Sequence, residues 1–133
     1  MRRLLGRGLE PALADDDDAR VAAASSAAIE WGQVVVLKGA RTVVAGPDGT
    51  VLRSDVATPS LATAGSGDVL AGVIGALLAA GCSPTLAAGC GVAVHGTAGL
   101  LAQERIGRSG VIAGDIAGLL PEAAERLRRS APA

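Results

Sequence analysis

Aromatic side chains are almost missing from this sequence: there is no Phe, no Tyr and a single Trp, Trp31. The stacking platforms that bind nucleic-acid bases are therefore absent, and a net charge of −1 supplies no broad basic face. Both facts argue against a nucleic-acid partner. Cysteine is scarce too. Cys82 and Cys90 stand eight residues apart, which is neither metal-ligand nor Cys-x-x-Cys spacing. They read as reduced, semi-buried small hydrophobes of a cytoplasmic protein. Long apolar runs are lacking. The longest, residues 69–82, is short of the ~20 residues a bilayer demands, so it reads as a buried core helix and not as a membrane segment. Arg7 and Glu10 interrupt any signal-like stretch at the start. Histidine occurs once, at His95 between Val94 and Gly96, and reads as a structural residue satisfying a local hydrogen bond.

What is present is small and apolar. Half of the 133 residues are hydrophobic and 19 are glycine. A core must be assembled from Ala, Val, Leu and Ile, which approach closely but contribute little area each. The length suits one domain or part of one. Residues 1–14 read as the tail of a helix and a loop, and Asp15 to Asp18 as acidic residues complementing the dipole of a helix at 19–31 that Gly32 ends. Val34 to Leu37 is a continuous apolar run, expected to be a strand buried on both faces in a parallel or mixed sheet. Strands at 42–45 and 50–53 flank a Gly-Pro-Asp-Gly turn. Helices are expected at 68–80, at 85–103, and from Asp115 onward, with Pro121 opening a new turn. Arg126, Arg128 and Arg129 favour the end of the last helix. The final residues, 130–133, are expected to fray.

Chemistry concentrates in Leu61-Ala62-Thr63-Ala64-Gly65-Ser66-Gly67-Asp68-Val69-Leu70-Ala71-Gly72. Gly65 and Gly67 bracket Ser66 just before an apolar helix. The backbone N–H groups there can approach an anion, and the helix start adds positive partial charge. Asp68 then stands at the mouth of a phosphate-attracting site, where its negative charge needs a reason. Either it is a general base that takes a hydroxyl proton during phosphoryl transfer, or it is an ordinary carboxylate at a helix start. A second element, Lys38-Gly39-Ala40-Arg41-Thr42, follows the apolar strand. It offers two cations, a glycine and a hydroxyl at a position where α/β folds bind ligands. Together the two elements suggest a nucleotide site.

These motifs, with Ala93-Val94-His95-Gly96-Thr97-Ala98-Gly99, Ala113-Gly114-Asp115-Ile116 and Leu120-Pro121, resemble the C-terminal part of the NAD(P)H-hydrate dehydratases over roughly residues 34–125. The resemblance implies an α/β, ribokinase-like sheet flanked by helices. It also implies a reaction in which ADP or ATP activates the hydroxyl of hydrated NADH or NADPH, which then leaves as phosphate. By motif match, Lys38, Gly39, Ala40, Arg41 and Thr42 line the nucleotide phosphates with Gly65, Ser66 and Gly67. Asp68 faces the hydrated nicotinamide as base. Mg²⁺ on the phosphates and a homo-oligomeric assembly are further implications.

The resemblance covers one half of such a domain. A His-Pro-Gly-Glu-like segment is absent before Met1, and residues 53–58 lack an Asn-Pro-Thr-Gly-like loop. The whole chain, residues 1–133, is thus expected to be a single partial domain lacking the N-terminal half. Such a fragment would expose an apolar sheet edge and a helix face, and would be unstable alone or self-associating. A ribokinase-like vitamin-precursor kinase and an inactive nucleotide-binding fragment remain the competing readings.

Overall fold

The computed structural model describes residues 16–130. The expectations for residues 1–14, Asp15 and the end of the tail fall outside that range. Two compact units divide between Arg53 and Ser54.

The first unit begins with α1, Asp17–Trp31. Asp16 is its N-cap, and its carboxylate accepts hydrogen bonds from the Asp18 and Ala19 N–H groups at 2.9 and 3.1 Å. Asp17 and Asp18 place negative charge in the first turn, where the dipole favours it. Gly32 ends the helix in the left-handed region at φ 61°, a conformation glycine adopts without steric cost. Strands β1 (Val35–Leu37), β2 (Val43–Ala45) and β3 (Val51–Arg53) then form an antiparallel meander in the order β1-β2-β3. Val35 lies opposite Ala45, and Val43 opposite Arg53. The β2–β3 turn is closed by Gly46 N–H to the Thr50 carbonyl at 2.8 Å, with Gly49 at φ 88°. Asp48 caps the turn by accepting from the Thr50 N–H, which holds its carboxyl below the usual range.

The core of this unit sets Ala24, Ala27 and Ala28 of α1 against Val35, Val43 and Ala45, with Val21, Trp31 and Leu37 packed around them. The apolar run at 34–37 was expected to be buried on both faces of a parallel or mixed sheet. It is instead a short strand of an antiparallel sheet, with only Val35 buried. One helix covers one face, so a run that is apolar throughout is half covered. β2 is fully buried and β3 is exposed at all three positions.

The second unit is helical. A short 3₁₀ turn, η1 (Pro59–Ala62), precedes α2 (Ser66–Ala79), α3 (Pro84–Ile106) and α4 (Ala113–Ser130). Pro84 opens α3, where its missing N–H costs nothing, and Gly107 at φ 115° closes it. Helix α3 is the centre of the unit and packs on η1, α2 and α4. Its length and composition would suit a membrane crossing, yet 56% of its apolar window is buried within the fold. Close approach rests on glycine. A Cβ on Gly91 would lie 2.6 Å from Ile74 Cγ1 of α2, and one on Gly99 would lie 2.4 Å from Leu61 Cδ2 of η1. The core joins Ala98, Leu101 and Ala102 of α3 to Val111 and to Ile116 and Ala123 of α4.

Several helix boundaries differ from expectation: α1 starts at Asp17 and α2 at Ser66, each two residues early, and α3 runs on to Ile106. Helix α4 starts at Ala113, two residues before Asp115, and runs through Pro121 without opening a new segment. Flanking packing on α3 holds the axis where the proline removes one backbone donor. Cys82 is half-buried and Cys90 exposed, and both are free thiols.

Candidate active site

The loop of residues 38–42 belongs to the first unit. Lys38, Gly39, Ala40 and Arg41 are exposed and Thr42 is buried. The Thr42 hydroxyl donates to the Gly39 carbonyl at 3.1 Å, so it braces the loop from within. Arg41 sits at φ 54°, where an L-residue pays about 1–2 kcal/mol in steric strain. Its guanidinium meets the Asp17 carboxylate, which Arg53 also approaches at 3.8 Å. Beneath the loop lies Arg20 of α1, only 8% exposed, donating from Nη2 to the Leu37 carbonyl at 3.1 Å.

The 65–68 turn belongs to the second unit. Gly65 adopts φ 83°, and a Cβ there would approach the Ala113 methyl to 3.1 Å. Glycine is thus required twice, by conformation and by packing. Ser66 is 1% exposed. Its hydroxyl donates to the Leu61 carbonyl at 2.7 Å, pointing into the fold. His95, 4% exposed, lies 2.8 Å from the Ser66 carbonyl through Nε2. Because a carbonyl only accepts, the proton on that bond must be the imidazole's. The Asp68 and Val69 N–H groups turn back to the Gly65 carbonyl at 3.0 and 3.2 Å. The Gly67 N–H, by contrast, has no acceptor among the described residues and remains available at the helix mouth.

Asp68 is exposed at the third position of α2. Its carboxylate has no hydrogen bond or ion pair among the described residues. A carboxylate at that position usually reaches back to the residue before the helix as a cap, and Asp68 does not. The capping form of the helix-start alternative is therefore not made, while Asp68 still places negative charge in the first turn, where the dipole favours it. Asp115 at the third position of α4 does make that bond, accepting from the Ile112 N–H at 2.9 Å.

The sequence did not expose the braces. His95 was expected to satisfy a local hydrogen bond; the contact of its Nε2 reaches Ser66, 29 residues away in the motif itself. Arg20 stands in an alanine-rich helix with nothing to set it apart from surface arginines. One signal existed in hindsight: a single His and a glycine at regular helical spacing on α3 mark the face turned toward the motif.

A model of the NAD(P)H-hydrate dehydratase family matches residues 2–122. The ADP-dependent (S)-NAD(P)H-hydrate dehydratase of Xanthomonas campestris pv. campestris is 44% identical over 123 residues, covering 89% of this chain and 43% of that protein. The bifunctional NAD(P)H-hydrate repair enzyme Nnr of Moorella thermoacetica is 42% identical over 121 residues, covering 91% of this chain and 22% of its own length. Among solved structures, the ADP/ATP-dependent NAD(P)H-hydrate dehydratase of Bacillus subtilis, co-crystallized with ATP/Mg²⁺, superposes with a TM-score of 0.76 at 31% identity. That match covers 80% of this chain and 39% of the other. The α/β fold is thus that of the dehydratases, and this chain spans less than half the length of these relatives. With the match running through the 38–42 loop, the 65–68 turn and most of α4, the chain belongs to the NAD(P)H-hydrate dehydratase family.

Proposed function

We propose that this chain carries the nucleotide-binding and proton-accepting portion of an ADP/ATP-dependent dehydratase acting on hydrated NADH and NADPH. The observation that carries the reading is the Asp68 carboxylate: exposed, unpartnered among the described residues, and held at the end of a turn braced from below by Ser66 and His95. A base must be free to accept a proton, and its support must be rigid.

In the reaction proposed, the 38–42 loop of the first unit is a phosphate-contacting element, with Lys38 and Arg41 supplying charge, and the Gly65, Ser66 and Gly67 backbone of the second unit is a nucleotide-contacting element in its own right. The hydroxyl on the hydrated nicotinamide attacks the terminal phosphorus as Asp68 takes its proton, and the bond from that phosphorus to the nucleotide's bridging oxygen breaks, releasing AMP from ADP or ADP from ATP. The new phosphate ester is a good leaving group, so its C–O bond breaks, inorganic phosphate departs, and loss of a proton from the neighbouring ring carbon to solvent restores the double bond of the reduced nicotinamide. Among the described residues no cluster of three His, Cys, Asp or Glu side chains forms a metal cage. Mg²⁺ accordingly belongs to the nucleotide, which it accompanies on the phosphate oxygens, and no step here is assigned to it. The two units are proposed to be parts of one dehydratase domain, cytoplasmic and assembled as a homo-oligomer.

The test is recovery of reduced nicotinamide absorbance from hydrated NADH supplied with ADP or ATP and Mg²⁺. It would run on this chain, its Asp68→Asn variant and the Xanthomonas relative as positive control. Recovery with phosphate release, cut by roughly 10²–10⁴ in Asp68→Asn, is the expected result. A stable phosphoester as product would instead establish a kinase. No turnover by this chain beside an active control would leave it a nucleotide-binding fragment.

A further inference from the structure

Arg20 is a cation that the fold buries without an anion among the described residues. It lies in the first turns of α1 at 8% exposure, and burying an arginine costs several kcal/mol unless a carboxylate or hydrogen bonds compensate. Among the described residues only the Leu37 carbonyl compensates, at 3.1 Å from Nη2. Nε has no acceptor among the described residues, and no described carboxylate lies within ion-pair distance. The shortage is notable, since three described aspartates precede it. Asp16 is committed to the Asp18 and Ala19 N–H groups, Asp17 faces Arg41 and Arg53, and Asp18 is exposed.

The guanidinium lies against the 38–42 loop. A Cβ built on Gly39 would come within 2.7 Å of Nη2 and 3.1 Å of Cζ, so any other residue would push the cation away. The contact also fixes peptide orientation. In a trans peptide the C=O and N–H point in opposite directions. With the Leu37 carbonyl drawn to Arg20, the Lys38 N–H is turned to the other side. With the Gly39 carbonyl drawn to the Thr42 hydroxyl, the Ala40 N–H is turned likewise. Both carbonyls are thereby held, one on a cation and one on a hydroxyl, which fixes the two peptide planes of the loop.

We propose that Arg20 is a positioning residue for the polyphosphate of a nucleoside di- or triphosphate: a buried, uncompensated cation that orients the 38–42 loop and whose charge the bound phosphates balance. This rests on the reading of that loop as phosphate-binding. The effect grows with phosphate charge, which separates it from a purely structural role.

Calorimetric titration of this chain with ADP and with AMP tests it, on the wild type and on Arg20→Gln, Arg20→Lys and Gly39→Ala. Arg20→Gln is expected to weaken ADP binding by on the order of tenfold, the worth of a charged hydrogen bond, and AMP binding by less. Arg20→Lys should recover part of the loss. Gly39→Ala keeps the charge but displaces it, and should show the same ADP-selective loss, which covers the case that Arg20→Gln does not fold. An unchanged ADP-to-AMP affinity ratio in both Arg20→Gln and Gly39→Ala overturns the inference while leaving the loop a nucleotide site. Wild-type protein that binds neither nucleotide overturns the loop reading and the inference with it.

Discussion

Helices α2 and α4 open with the same pattern, a small residue, a glycine and an aspartate: Ser66-Gly67-Asp68 and Ala113-Gly114-Asp115. In α4 the aspartate closes a cap on the Ile112 N–H. In α2 the aspartate makes no such bond, and the turn is held instead by side chains from elsewhere, the Ser66 hydroxyl on Leu61 and His95 on the Ser66 carbonyl. One helix start uses its carboxylate for stability. In the other, neighbours hold the turn and the carboxylate has no bond among the described residues. A motif three residues long cannot report which of the two it is; the surrounding bonds do.

The largest effect that would sharpen this contrast is catalytic. Asp68→Asn should cost roughly 10²–10⁴ in rate yet change stability within about ±0.5 kcal/mol, as for an unpartnered surface residue. Denaturant melting beside the turnover assay checks both halves, and a clear loss of stability in Asp68→Asn would erase the distinction. Next comes the brace. His95→Ala removes the bond to the Ser66 carbonyl and leaves a cavity at a buried site, and should destabilise the second unit by about 1–3 kcal/mol, read as faster amide exchange across α2 and α3. Asp115→Ala should cost about 1 kcal/mol, the worth of a helix-terminal cap, and leave turnover per folded molecule unchanged. Smallest is a pH effect on the far end of α4. Arg128 and Arg129 hold the Glu125 carboxyl below the ordinary glutamate range. A depressed carboxyl stabilises the fold above its unfolded value and loses that contribution as pH falls through the folded one. The last turns of α4 should therefore loosen slightly on acidification, by helical circular dichroism, and Glu125→Gln should remove the pH step.

Most elements were legible because their signals are local. The apolar stretch after Asp68, Gly32 after an alanine-rich helix, and the Gly-Pro-Asp-Gly turn each dictate backbone geometry within a few residues. Layering was less legible. Val34 to Leu37 is apolar throughout, and such a run fits a doubly covered strand as well as a half-covered one; only the antiparallel pairing with β2 distinguishes them. Pro121 carries a strong local signal for a new turn, which packing on α3 overrides. At the candidate site, the motif residues were readable from spacing, whereas Arg20 and His95 act across 17 and 29 residues and leave no pattern of their own.

The near-absence of aromatics has an optical consequence. Trp31 packs on the core of the first unit, and no Phe or Tyr exists elsewhere in the chain. Intrinsic fluorescence is therefore a one-channel signal from the unit that holds the 38–42 loop, while far-ultraviolet ellipticity is dominated by the three helices of the other. Melting followed by both probes would resolve the two units without any label, and a shift in emission on adding nucleotide would originate on the Trp31 side.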